Sequence, residues 1–439
     1  MSSQSAQSKS ISDPPRGALL VVFLTVFIDL LGFGIVLPVM PRQAEPYLEV
    51  LGLPQAGIGA MIGVLFSVFS LMQFIFSPIW GRLSDRIGRR PLLILSLSGS
   101  VVFYALYGFA VTFSEAQAAI AIALMLFSRL GAGVAGASVG TAAAVIADCT
   151  PPERRARGMA LIGIAFGAGF TLGPLIAYFG LSLFQSQPWG VGALASLLSF
   201  IALLIAVFVF KETRKPGVCN AKETISFSRM ASVLGIPAVG ALVLTYFLSI
   251  FAFANFEATL ARLTKEFFAM NDDDNFLVFA LIGVVLMIAG GLYRPLAKRL
   301  PENQLLVSGI LLMIIGLGGV GVVAGVAYQQ DVIGHVSPFM KNMFYAVSAV
   351  SVVGFAFVNP SISALLSKNA SPDQQGEVLG VNQSFASLGR ILGPFLGSVL
   401  FSLHDSRTLP FLMAVMVLFA VLFLLRRVSS VAASANSSF

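Results

Sequence analysis

Only two cysteines and two histidines occur in 439 residues, and each scarcity removes a class of function. Cys149 and Cys219 stand far apart, which excludes a disulfide framework and a cysteine-built metal cluster. His335 and His404 fall in separate connections between apolar runs, so no metal site is expected from histidine either. Charge is scarce too: 11% of residues are Asp, Glu, Lys or Arg, against about a quarter in an average soluble domain. No phosphate-cradling glycine loop follows a strand pattern and no metal-ligand spacing appears, so an enzyme is the least expected reading and no cofactor is expected beyond a coupling proton. The first 16 residues lack the apolar core and cleavage site of a secretory signal and read as a disordered cytoplasmic tail.

Apolar residues are abundant, at 57% of the chain with a mean hydropathy of +0.90. A membrane-crossing helix needs about 20 of them in a row. Twelve such runs can be drawn, at 17–41, 56–80, 91–113, 118–147, 157–182 and 190–211, then 233–257, 276–300, 303–327, 338–367, 376–402 and 408–427. Ten-residue alternation is missing, which argues against an outer-membrane barrel. Most of the 27 Lys and Arg fall in one set of loops and in the tails, so both ends are expected in the cytoplasm and the protein in the plasma (inner) membrane. The net charge of +7 is then topology, and no nucleic-acid partner is implied. The polar, Lys- and Arg-containing stretch 212–232, with Pro216-Gly217 inside it, divides the chain into halves 17–211 and 233–427, leaving a tail at 428–439.

The halves repeat. A shift of 220 residues lays Leu172-Gly173-Pro174 on Leu392-Gly393-Pro394, and Phe27 on Phe247. A shift of 213 lays Leu83, Arg86, Leu92 and Leu93 on Leu296, Arg299, Leu305 and Leu306. Two pseudo-symmetric six-helix bundles are therefore expected.

Few residues in the spans carry chemistry. Asp29 lies about 18 Å along its helix, near the middle of the bilayer, where an ionisable group is costly and is a functional candidate by default. Arg129, running the opposite way in the fourth span, reaches a similar depth and is the most plausible charge partner for Asp29; a fixed salt bridge between helices is the plainer alternative. Asn255 and Glu257 occupy the far part of the seventh span, where Glu257 either meets a cationic substrate or sits in an interface. Gln73, Asn359, Asn382, Gln383 and Arg390 are further polar groups at membrane depth, expected to face a cavity or bridge helices. Arg390 either competes for Asp29 or attracts an anionic group on the substrate. Gly163, Gly167, Gly169 and Gly173, followed by Pro174, make the fifth span a tightly packed, kinked helix.

The segment Gly81-Arg82-Leu83-Ser84-Asp85-Arg86-Ile87-Gly88-Arg89-Arg90-Pro91 reads as a basic loop between two long apolar runs. It resembles the signature loop between the second and third helices of the major facilitator superfamily. The run Asp29-Leu-Leu-Gly32-Phe-Gly34, ending in Pro38 and Pro41, resembles the first helix of tetracycline-resistance and multidrug proton antiporters. Arg129-Leu-Gly131-Ala-Gly133 is similar to the superfamily's fourth-helix motif, with Ala132 where glutamine is common, and the fifth span is similar to its antiporter motif. The resemblance implies a twelve-helix, all-α integral membrane transporter working as a monomer by alternating access. Its substrate is expected to be a drug-like or lipophilic small molecule, exported against protons through Asp29 and Arg129. It also implies that Gly81, Asp85, Arg86, Gly88, Arg89 and Arg90 form a gating loop, with Asp85 meeting the near end of the eleventh span in the outward-open state. A nutrient facilitator or symporter and a non-transporting scaffold remain the alternatives. The third-span or ninth-span acid expected in tetracycline exporters is missing, which argues against tetracycline itself.

Overall fold

The computed structural model describes residues 18–149, 165, 168–169, 171–179, 181, 183–185, 187–213, 227–370 and 375–436. Within them the elements are helices joined by short turns. The first half contains α1 (Ala18–Val36), α2 (Met40–Val50), α3 (Gln55–Ile87), α4 (Arg89–Ala110), α5 (Ala118–Ala135), α6 (Val139–Cys149), α7 (171–179) and α8 (Gly190–Val209). After α9 (Phe227–Leu234) come α10 (Pro237–Phe268), α11 (Asp272–Leu296), α12 (Glu302–Gln329), α13 (Pro338–Asn369), α14 (Gln375–Leu403) and α15 (Leu409–Asn436). Among the described residues ten helical stretches are long and apolar enough to cross a membrane, and Leu409–Leu425 of α15 is a shorter apolar one. The expected fifth span falls largely outside the described residues, Gly163 and Gly167 included; α7 is its described part. One end of the bundle carries α2 (the α2 face) and the other carries Gly88 (the Gly88 face).

Four local departures from the expected spans have physical causes. The first run ends as a helix at Val36, because Pro38 and Pro41 cannot continue its hydrogen-bond ladder; a turn follows, and then α2, which carries Pro41 in its first turn. The basic segment is mostly helix: α3 runs to Ile87 and α4 begins at Arg89, with Gly88 alone between them at φ +108°. The fourth span breaks into a 3₁₀ turn at Gly136–Ser138, where the Gln73 side chain donates to the Gly136 carbonyl at 3.0 Å and competes for a ladder acceptor. Finally, the seventh span does not stop at 257; α10 continues to Phe268 and carries Arg262, Lys265 and Glu266 with it.

The sequence repeat has a counterpart in packing. A Cβ at Gly173 of α7 would lie 2.9 Å from the Gly34 backbone of α1. Its repeat partner Gly393 of α14 packs on α10, where a Cβ would lie 3.1 Å from the Ala254 Cβ. Ala254 is where the shift of 220 places Gly34, so the same crossing is built twice.

Candidate functional site

The hydrogen bonds and ion pairs that join described residues of the two halves run from the α2 face to mid-depth. Deepest are Ser67, whose hydroxyl donates to the Ile391 carbonyl at 2.6 Å, and Thr171, which donates to the Gly283 carbonyl at 2.9 Å. Toward the α2 face, Asn275 donates to the Pro38 carbonyl at 2.8 Å. The face itself carries a clasp of charges. Arg42 of α2 reaches across to Asp272 (2.8 Å), to the Met270 and Ala261 carbonyls, and to the Thr264 hydroxyl. In the opposite sense Glu45, three residues along α2, takes Arg262 (3.1 Å) and Lys265 (2.9 Å) from α10. Arg262 is 1% exposed, donates also to Ser402 at 2.8 Å and lies 4.8 Å over the Phe401 ring. Glu266 links Arg262 to Arg407 at 3.5 and 2.7 Å. Burial pushes the Glu45 carboxyl up, but Arg262 and Lys265 outweigh it and hold it below the usual carboxylate range.

Below the clasp lies a cavity of about 80 Å³ between α1, α3, α10 and α14. Phe66, Phe69, Gln73, Glu257 and Arg390 are among the residues that line it. A second, apolar crevice of about 20 Å³ lies on the other side of α10, against α1, α7 and α11. Glu257 lines both spaces. A drug-sized ligand needs about 300–1,000 Å³, so with the clasp engaged the space is contracted. Arg129, 2% exposed, stands behind the cavity wall: its guanidinium lies 4.6 Å over the Phe69 ring and its Nε donates to the Leu65 carbonyl at 3.3 Å.

Sequence comparison gives this geometry its setting. The chain matches the Major Facilitator Superfamily over residues 22–340 and 332–438. It belongs to that family. Among curated relatives, Major facilitator superfamily domain-containing protein 10 of Mus musculus is 28% identical over 89% of each chain. The class E tetracycline resistance protein of Escherichia coli is 29% identical over 88% of each. A crystal structure of the human organic anion transporter MFSD10 (TETRAN) superposes with a TM-score of 0.63 at 27% identity, covering 94% of this chain and 99% of that one. The chain is thus an all-helical membrane transporter.

The superfamily's signature segment takes a specific form at the Gly88 face. Asp85 pairs with Arg89 of its own segment at 2.6 Å, and Arg89 also reaches Asp148 at 3.2 Å and the Ser84 hydroxyl. The described partner of Asp85 is Arg89; the near end of the eleventh span, where its outward-open contact is expected, falls at 371–377, outside the described side chains. The N-terminus of α4 is instead capped by Glu212, which accepts from the Arg89 and Arg90 amides at 3.0 and 3.1 Å, a favourable place for a carboxylate. Arg90 also donates to the Val207 carbonyl at 2.7 Å, while a Cβ at Gly81 would meet open space. Glu212→Gln is expected to cost about 1 kcal/mol of local stability, read as faster hydrogen exchange at the Arg89 and Arg90 amides with the rest of the bundle unchanged.

The sequence candidates scatter more widely than expected. Glu257, Arg390 and Gln73 meet at the cavity. Asn255 does not: it donates to the Pro410 carbonyl at 2.8 Å, and its Oδ1 faces Gly397, so it bridges α10 to α14 and α15. Asn359 accepts from the Tyr246 hydroxyl at 3.0 Å, Gln383 is exposed, and Asn382 is 5% exposed on α14. None of these four lines either space. Asp29 lies in α1 next to the cavity-lining Leu30, and its side chain is outside the described residues. Of the fifth-span set, Gly169 packs on Leu30 and Leu31, Gly173 packs on Gly34, and Pro174 lines the crevice. Sequence reasoning missed the clasp. Its one signal is Arg42 and Glu45, two opposite charges one turn apart just after a proline-terminated span.

Proposed function

We propose that the protein is a proton-coupled exporter of drug-like, lipophilic small molecules, with the α2 face toward the outside and the Gly88 face toward the cytoplasm of a plasma (inner) membrane. The observation that carries this reading is the small charged cavity between the halves, with Arg129 packed directly behind its Phe69 wall. Members of this superfamily bind substrate near the bilayer midplane, where two repeats meet. In the proposed cycle a proton from outside neutralises Asp29 and breaks its coupling to Arg129; substrate then enters from the Gly88 side or inner leaflet and leaves past α2. The similarity to tetracycline resistance proteins supports export. The protein works as a monomer in the bilayer and needs no metal or organic cofactor.

A second reading is transport of organic anions without a proton. Arg390 in the cavity favours an anionic group on the substrate, and the 27% identical solved relative is described as an organic anion transporter.

The test is proton flux in inverted vesicles, followed with a pH-gradient dye against a panel of lipophilic drugs and organic anions. A substrate should dissipate the gradient, and Asp29→Asn at equal expression should abolish the effect. A compound that moves down its own gradient without protons would establish the second reading.

A further inference from the structure

We propose that Glu257 is a second proton site, belonging to the C-terminal half, whose occupancy decides whether the α2 face closes. The inference rests on proton-coupled export as the reading of the same cavity.

Its geometry is unlike that of the charged residues in the clasp above it. Glu257 makes no hydrogen bond to, and no ion pair with, a described residue, whereas Glu45, Glu266 and Asp272 each hold at least one cation. It stands in the wall between the cavity and the apolar crevice, with Leu37 from the turn after α1 lining both spaces and Phe253 and Leu260 from α10 lining the crevice. A bare carboxylate in such a wall is expensive unless a positive charge compensates it. Arg390 of α14 lines the same cavity and is felt electrostatically, but at a distance beyond an ion pair. From α3, Ser70 and Gln73 are uncharged; α7 offers Pro174, and α11 offers Phe279, Ile282, Gly283 and Leu286. On α1, Asp29 adjoins the lining residue Leu30, and it would add charge of the same sign. About 80 Å³ admits waters and a proton rather than an organic cation.

The proton therefore supplies the missing charge in the clasped state. It binds the carboxylate from water when the α2 face is open, is buried as the neutral acid when that face closes, and leaves to water when the cavity drains toward the Gly88 face. Five residues along the same helix, about 7.5 Å, α10 carries Arg262 into the clasp. One rigid element thus joins the proton site to the gate.

The experiment uses the full chain in liposomes without substrate. Spin labels at Val50→Cys and Gln330→Cys, both exposed on opposite halves of the α2 face, report the width of that face by double electron–electron resonance between about pH 5 and pH 8.5. In the otherwise unmodified protein, acid should favour the short distance and alkali the long one. Glu257→Gln should remain short throughout, losing the pH response, and Glu257→Asp should retain it. An unchanged response in Glu257→Gln would overturn the proposal even if vesicles show proton flux. Loss of the response in Glu257→Gln, in vesicles that show no flux, would keep the site and overturn proton-coupled export instead.

Discussion

Replacing Arg262 with glutamine should open the α2 face. The guanidinium is 1% exposed and holds Glu45 of the opposite half, together with Glu266 and Ser402 of its own. Removing one member of a buried pair costs about 3–5 kcal/mol, because the remaining charge is stranded. Lys265 stays near Glu45, but its side chain is 43% exposed and screened, so it recovers little. If about 3 kcal/mol of that falls on the closed state, its advantage over the open one shrinks about a hundredfold. The reporter is Ala258→Cys, 1% exposed and cavity-lining, in a background with Cys149 and Cys219 replaced by serine. An impermeant thiol reagent added on the α2 side should label it far faster in Arg262→Gln than in the parent. Glu45→Gln should act in the same direction, and the double variant should lose less than the sum, since both remove one interaction. Equal labelling rates in parent and single variants would show that the clasp does not hold the face shut.

The pH dependence of the clasp follows from the direction of the Glu45 shift. Its carboxyl is held below the usual range in the clasped state. The stabilisation it contributes is therefore complete above the ordinary carboxylate value and is lost only as pH falls through the lowered one. Between about pH 6 and 8 Glu45 therefore stays charged in the clasp. Any response of the α2 face in that window has to come from elsewhere, and Glu257 is the proposed source.

Gly173→Leu should cost the fold itself. A Cβ there would lie 2.9 Å from the Cα and carbonyl carbon of Gly34, and backbone atoms cannot rotate aside. α1 and α7 would have to separate, and overpacking of this kind costs typically 1–3 kcal/mol, sometimes more. Inside a bilayer, close packing is itself a main force between helices, so loss of monodisperse protein is expected on size exclusion after mild heating. Gly290→Leu is the control: nothing lies within 4 Å of its Cβ position, and it should behave as the parent. If both variants are equally stable, the crossing at Gly34 is not what holds these helices together.

The resemblance in the signature segment and the apolar runs made the family and its all-helical membrane fold legible from sequence. Hydropathy is a property of consecutive residues, and a helix in lipid satisfies its own backbone bonds, so length and composition suffice to find it. The Gly-Pro repeat at Gly173 and Gly393 was legible as well, because an equivalent crossing in each half demands the same small residue.

The tertiary structure alone decided which polar side chains meet. Gln73, Glu257 and Arg390 come from three helices far apart in the chain and line one cavity, while Asn255, an equally good candidate by depth, points into a helix interface. The direction of a side chain around a buried helix depends on rotation and crossing angle, which a nearly uniform apolar sequence leaves open. The clasp was hidden for a related reason: hydropathy ends a span where charges begin, yet α10 carries Arg262 onward because Glu45, brought from the other half 217 residues away, compensates its charge.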